Sequence, residues 1–153
     1  MNDTTMTYRR FGRTQTHVSA IGIGGYHLGV PEDPDVAVEI VRAAIDGGIT
    51  FLDNSWDYHG GESERRMGRA LRDGYRERAF VMTKLDSRTS DGTLRQFEES
   101  MDRLELTQID LLQLHEVIRE DDVDRAFAPG GAIEAYLDLK EQGVVRFIGF
   151  TGH

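Results

Sequence analysis

Short apolar runs alternate along this chain with longer stretches in which apolar residues recur every three or four positions. Ala20 to Gly25, Ile49-Thr50-Phe51-Leu52, Phe80-Val81-Met82-Thr83, Ile109 to Leu114 and Val144 to Phe150 have the length and character of strands. Between the first two, Ala37, Ile40, Val41, Ala44 and Ile45 fall at helical spacing. Asp33 and Pro34 supply a cap and a first-turn proline, and Gly47-Gly48 ends the segment. Met67, Ala70 and Leu71 mark a second helix face closing near Gly74, and Leu94, Phe97, Met101 and Leu104 a third. Ile133, Tyr136, Leu137 and Lys140 mark a fourth, ending at Gly143. Ahead of this series, Tyr8 to Phe11 and Val18 to Ile21 flank a turn at Gly12 and predict a hairpin.

The alternation predicts an α/β domain: an N-terminal hairpin, then about five parallel strands and four helices joined by right-handed crossovers. Residues 1–7 are polar and predict a disordered start, leaving 8–153 as the folded unit. Periodicity leaves two architectures open, a doubly wound open sheet or part of a (β/α) barrel. In both, ligands gather at the carboxyl ends of the strands.

Those ends carry reactive side chains. Phe51-Leu52 runs into Asp53, Val81-Met82-Thr83 into Lys84, and Leu111-Leu112-Gln113-Leu114 into His115. Tyr58 follows Asp53 in the glycine-rich turn Tyr58-His59-Gly60-Gly61. Singly, each has an ordinary explanation: a helix cap, a packed phenol, a surface charge, a structural imidazole. On successive strand tips they share one small volume. A phenol is a poor proton donor at neutral pH, and a nearby ammonium stabilises its phenolate. A carboxylate beside the lysine keeps it charged, and an imidazole donates to a substrate oxygen. The set is a general-acid apparatus for an oxygen acquiring negative charge, as a carbonyl oxygen does on receiving hydride.

Three other chemistries compete for these residues. Gly22-Ile23-Gly24-Gly25-Tyr26-His27 fails as a dinucleotide fingerprint, because His27 stands where a third glycine is needed and two prolines precede the helix. A metal reading would gather Asp53, His59, His115 and His153. It lacks a His-x-His or His-x-x-x-His pair and leaves Lys84 idle, so no metal is expected. A covalent reading makes Lys84 an amine that attacks carbonyls.

Composition narrows the classes further. A formal net charge of −9 over 153 residues argues against nucleic acid and against anionic membrane surfaces. Cysteine is absent, which excludes disulfides and thiolate chemistry and fits a reducing cytoplasm. The polar start has no apolar signal-peptide core, so a cytoplasmic protein acting on a small molecule is expected.

The segment Asp53-Asn54-Ser55-Trp56-Asp57-Tyr58-His59-Gly60-Gly61-Glu62-Ser63-Glu64 resembles the Asp-x-x-x-x-Tyr-Gly-x-x-Ser-Glu pattern of the aldo-keto reductases, with His59 standing between tyrosine and glycine. Met82-Thr83-Lys84 and Leu112-Gln113-Leu114-His115 are similar to that family's lysine and histidine segments, in the same order. Tyr8 to Gly25 and Val145 to Phe150 also resemble family segments, so the likeness spans 8–153.

The resemblance implies a (β/α)8 barrel of the TIM type that reduces aldehydes or ketones with NADPH. It implies Tyr58 as the acid that protonates the carbonyl oxygen, tuned by Lys84 and Asp53, with His115 orienting that oxygen. It implies Trp56 in the wall of the substrate pocket. Gly25, Tyr26, Asp53 and Thr151 would lie at the NADP(H) site, Thr151 where the family often has a carboxamide-binding serine. The next residue, commonly asparagine in the family, is Gly152 here. A whole barrel takes roughly 250 residues, so an incomplete one is expected. That expectation carries an alternative: a non-catalytic half-barrel whose open sheet edges require self-association or a complementary chain.

Overall fold

The computed structural model describes residues 6–152. The first five residues of the expected disordered start, and His153, lie outside the described residues. Thr7 does not: its carbonyl accepts the Ala20 N–H at 2.8 Å and so extends the hairpin.

The hairpin pairs β1 (Tyr8–Arg10) with β2 (His17–Ser19) antiparallel. The remaining strands are β3 (Gly22–Gly24), β4 (Phe51–Asp53), β5 (Phe80–Leu85), β6 (Ile109–Leu114) and β7 (Val145–Phe150). They form one parallel sheet in the order β3-β4-β5-β6-β7. A doubly wound sheet reverses its strand order at a switch point, and this one never does. The sequential order is that of a (β/α) barrel wall, which settles the choice the periodicity left open.

The helices are α1 (Pro34–Asp46), α2 (Glu62–Ala70), α3 (Ser90–Leu104), α4 (Asp122–Phe127) and α5 (Ala132–Glu141). Pro34 opens α1, and the Asp33 carboxylate accepts the Asp35 N–H at 2.9 Å, as the sequence predicts. The short α4 was not expected. It carries only Val123, Ala126 and Phe127 as apolar residues, and two of these face solvent. No described helix is long and apolar enough to cross a membrane.

Alternation along the strands sorts the side chains into two cores. Leu52, Val81 and Leu112 join the helix residues Val41, Met67, Leu104 and Tyr136 in the layer between sheet and helices. On the other face, Phe51 stacks on Phe80 with centroids 5.4 Å apart, and Phe80 stacks on Phe147 at 6.2 Å. Phe11 covers Phe80 at 5.0 Å, and Val18 joins the same cluster. An aromatic plug thus fills the sheet's concave face near the strand starts. Beyond it, toward the strand ends, the same alternation brings in Asp53 and Lys84.

Four positions assigned to helix faces are exposed: Ile40, Leu94, Leu137 and Lys140. On α3 the buried row is Thr93, Phe97, Ser100 and Leu104, so small hydroxyl residues take places expected to be apolar. Close helix packing explains this substitution of size for hydrophobicity. A side chain at Gly68 of α2 would come within 2.7 Å of backbone oxygens of α3.

This arrangement predicts a sharp contrast between two leucines. Leu52→Ala removes a fully buried side chain and is expected to cost about 2–5 kcal/mol, whereas the exposed Leu137→Ala stays within about 0.5 kcal/mol. Urea denaturation of both variants checks it; equal losses would contradict the assigned faces.

Candidate active site

Register places the first two groups. Asp53, at the end of β4, aligns with Met82, so Lys84 lies two residues further along β5, past the tip of its neighbour. Its side chain is buried, with 6% exposed, and an ammonium in such a position requires partners. It has three. Nζ forms an ion pair with Asp53 Oδ1, donates to the Asn54 carbonyl at 2.7 Å, and donates to the Tyr58 hydroxyl oxygen at 3.3 Å. These acceptors match the three hydrogens of an ammonium. Because the Tyr58 oxygen accepts from Lys84, the phenolic hydrogen points elsewhere.

The turn after β4 makes this possible. The N–H groups of Asn54 and Trp56 donate to Met82 and Lys84 carbonyls, both at 3.0 Å, so the chain follows β5 past the end of β4. The Asn54 side chain is buried, and its oxygen accepts the Ser55 N–H at 2.9 Å. After Tyr58, His59, Gly60 and Gly61 all adopt left-handed backbone, with φ of 51°, 62° and 86°. Two glycines fill this run, and His59 adopts it at a cost of roughly 1–2 kcal/mol. The run reverses the chain into α2 and lays the His59 ring 4.7 Å from Tyr26, which in turn meets Tyr58 edge-on at 5.3 Å. Gly25 closes the neighbouring tip. Its N–H donates to the Asp53 carbonyl at 2.6 Å, and a side chain there would strike Asn54 at 2.7 Å.

His115 follows β6 directly, its N–H donating to the Leu85 carbonyl at 2.8 Å. The ring is buried and meets Tyr58 edge-on at 6.2 Å. Burial, and next the positive charge of Lys84, hold its pKa below the ordinary 6.5. Nδ1 lies 2.9 Å from Thr151 Oγ1, and Nε2 has no hydrogen-bond partner among the described residues.

A second buried pair underlies this loop. Arg88 Nε donates to Asp122 at 2.9 Å, while Nη2 donates to the carbonyls of His115 at 2.8 Å and Glu116 at 2.7 Å. Asp122 also accepts the N–H groups of Ile118 and Arg119. The Arg88 guanidinium, followed by those backbone donors, holds the Asp122 carboxyl well below the usual carboxylate range. Sequence reasoning missed Arg88, Asp122 and Asn54. The Arg88–Asp122 pair spans 34 positions, and nothing local in the sequence marks it.

Asp53, Tyr58, Lys84 and His115 are therefore brought together, with Gly25, Tyr26 and Thr151 at their margin. Trp56 is not, and its expected place in the pocket wall is corrected. Its indole N–H donates to Glu99 on α3 at 2.8 Å and its ring lies under the Arg103 guanidinium. The Thr151 hydroxyl contacts His115 and accepts the Glu116 N–H. The residues of the metal reading do not assemble: Asp53 pairs with Lys84, His59 lies against Tyr26, and His153 is outside the described residues.

Comparisons with known proteins bear on the family and the fold. L-galactose dehydrogenase of Arabidopsis thaliana is 33% identical, the match covering 97% of this chain and 49% of that protein. Among solved structures, an aldo-keto reductase from Bacillus halodurans in its holo form superposes with a TM-score of 0.82 at 28% identity, over 96% of this chain and 50% of that one. An aldo-keto reductase from Klebsiella pneumoniae in complex with NADPH superposes with a TM-score of 0.80 at 30% identity, over 95% and 49% respectively. The chain thus spans about half the length of the relatives it matches. The family model for aldo/keto reductases matches residues 20–153, and the chain belongs to that family.

Proposed function

We propose that this chain supplies the proton-delivering part of a carbonyl reductase that uses NADPH to reduce an aldehyde or ketone. The observation that carries this reading is the Lys84 ammonium with its three acceptors, which leaves the Tyr58 hydrogen available to a substrate oxygen. As the carbonyl carbon receives hydride, the π electrons move to oxygen and that oxygen takes the Tyr58 proton. The Lys84 ammonium, paired with Asp53, stabilises the phenolate left behind. His115 Nε2, without a hydrogen-bond partner among the described residues, orients the same oxygen. Lys84 directs every N–H toward an oxygen, which gives no support to its use as an amine nucleophile.

The residues present fit the nicotinamide end of the cofactor. A side chain added at Gly24 would meet nothing within 4 Å, so the tip of β3 is open to close approach. Tyr26 offers a half-exposed ring edge-on to Tyr58, and the Asp53 side chain is 38% exposed. Gly24, Gly25, Tyr26 and Asp53 would hold that end, and NADPH, when bound, supplies the hydride.

A second reading concerns closure of the sheet. β3 and β7 each have one neighbour in the five-stranded sheet, and Phe150 on β7 is 70% exposed beside an apolar groove of about 340 Å³. Such edges favour a further copy or a complementary chain that covers them before turnover begins.

Following cofactor absorbance with NADPH and a panel of aldehydes and ketones tests both readings. Tyr58→Phe is expected to lower the rate by about 10²–10⁴-fold. Cofactor oxidation that is absent, or indifferent to Tyr58, would sink the reductase reading. Specific activity that rises with chain concentration is expected from self-association, and a constant value removes it.

The direction of the His115 shift gives a pH dependence of stability. Its folded pKa lies below 6.5, so the unfolded chain binds the proton more readily. The stabilisation is full above pH 6.5 and is lost as pH falls through the folded value. Urea midpoints measured from pH 8 to pH 5 are expected to fall through this window, with a shallower slope in His115→Asn; equal slopes would contradict the assignment.

A further inference from the structure

We propose that Thr151 is a positioning residue that selects the tautomer of His115: its hydroxyl donates to Nδ1, so the ring hydrogen resides on Nε2 and faces the substrate oxygen. This deepens the reductase reading, on which its purpose rests, although its test does not depend on turnover.

The assignment follows from counting hydrogens. Thr151 Oγ1 lies 2.9 Å from two groups, the Glu116 N–H and His115 Nδ1. The backbone N–H has no choice but to donate. The hydroxyl then has a lone pair and one hydrogen left, and His115 Nδ1 is the acceptor for that hydrogen among the described residues. In the reverse arrangement the oxygen accepts twice, and its own hydrogen meets no acceptor among the described residues.

The backbone holding this geometry is clamped on both sides. Arg88 Nη2 fixes the carbonyls of His115 and Glu116, and Asp122 fixes Arg88. Thr151 is tied by its own N–H to the Leu114 carbonyl and by its carbonyl to the Val117 N–H, both at 2.8 Å. The Glu116 N–H cannot turn away without breaking this frame, and it holds the Thr151 oxygen beside His115 Nδ1. On the opposite side of the ring Nε2 has no described partner, as a donor reserved for a ligand requires.

Long-range ¹H–¹⁵N correlation of the imidazole nitrogens in the ¹⁵N-histidine-labelled chain at pH 8 reads the tautomer directly, His115→Asn assigning the signals among the five histidines. The wild type is expected to show the Nε2–H pattern, and Thr151→Ser to keep it. Thr151→Val, similar in shape but without a hydroxyl, is expected to lose it in favour of a mixture. An Nδ1–H pattern in the wild type, or an unchanged pattern in Thr151→Val, overturns the proposal. Should the valine variant fail to fold, Thr151→Ala removes the hydroxyl with a smaller side chain and is expected to give the same loss, an unchanged pattern again overturning the proposal. A chain with Nε2–H and no Tyr58-dependent reduction would defeat the reductase reading and leave this inference standing.

Discussion

An ammonium buried at the end of a β-strand sets the terms for everything around it. Lys84 lies beyond the tip of β4, and leaving its charge unpartnered there would cost several kcal/mol. Its acceptors come from one stretch of chain: Asp53 at the strand end, the Asn54 carbonyl in the turn, and the Tyr58 oxygen after it. The turn is bound to satisfy the lysine, and in doing so it delivers a phenol to the ammonium. Burial of one charge therefore assembles most of the site. Such a pair adds little net stability once desolvation is counted, which is consistent with a role in chemistry.

The same physics separates the two ends of the sheet. Alternation places Phe51, Phe80 and Phe147 on the concave face near the strand starts, where Phe11 covers them, and places Asp53 and Lys84 on that face near the strand ends. The aromatic end gives the strands a rigid base. The polar end, freed from packing, can arrange donors around a ligand oxygen. The Arg88–Asp122 pair extends this logic one strand further, fixing the loop that presents His115.

Much of this was legible in the sequence because it is local. Apolar runs ending in Asp53, Lys84 and His115 read directly as strand tips, and the strand–helix alternation limited the sheet to parallel forms. Strand order was not legible, since periodicity carries no information about which strands are neighbours. On α3 the sequence placed Phe97, Met101 and Leu104 against the core but missed Thr93 and Ser100, which are buried for their size, as Gly68 of α2 is. Trp56 was misplaced because a turn has no periodicity from which a direction can be drawn. Arg88 and Asp122 went unseen because their partnership is tertiary, and the contacts of the Thr151 hydroxyl with His115 and Glu116 went unseen for the same reason.

Family membership and the half-length match set this chain in a larger scheme: five sequential parallel strands whose tips carry Asp53, Lys84 and His115. Whether those tips form one unit rests on the coupling between Asp53 and Lys84. A double-mutant cycle of Asp53→Asn and Lys84→Met, read by urea denaturation, measures it most directly. The double variant is predicted to lose about 1 kcal/mol less, or better, than the sum of the two single losses. Losses that add within about 0.5 kcal/mol would show the two groups to be independent and contradict the account.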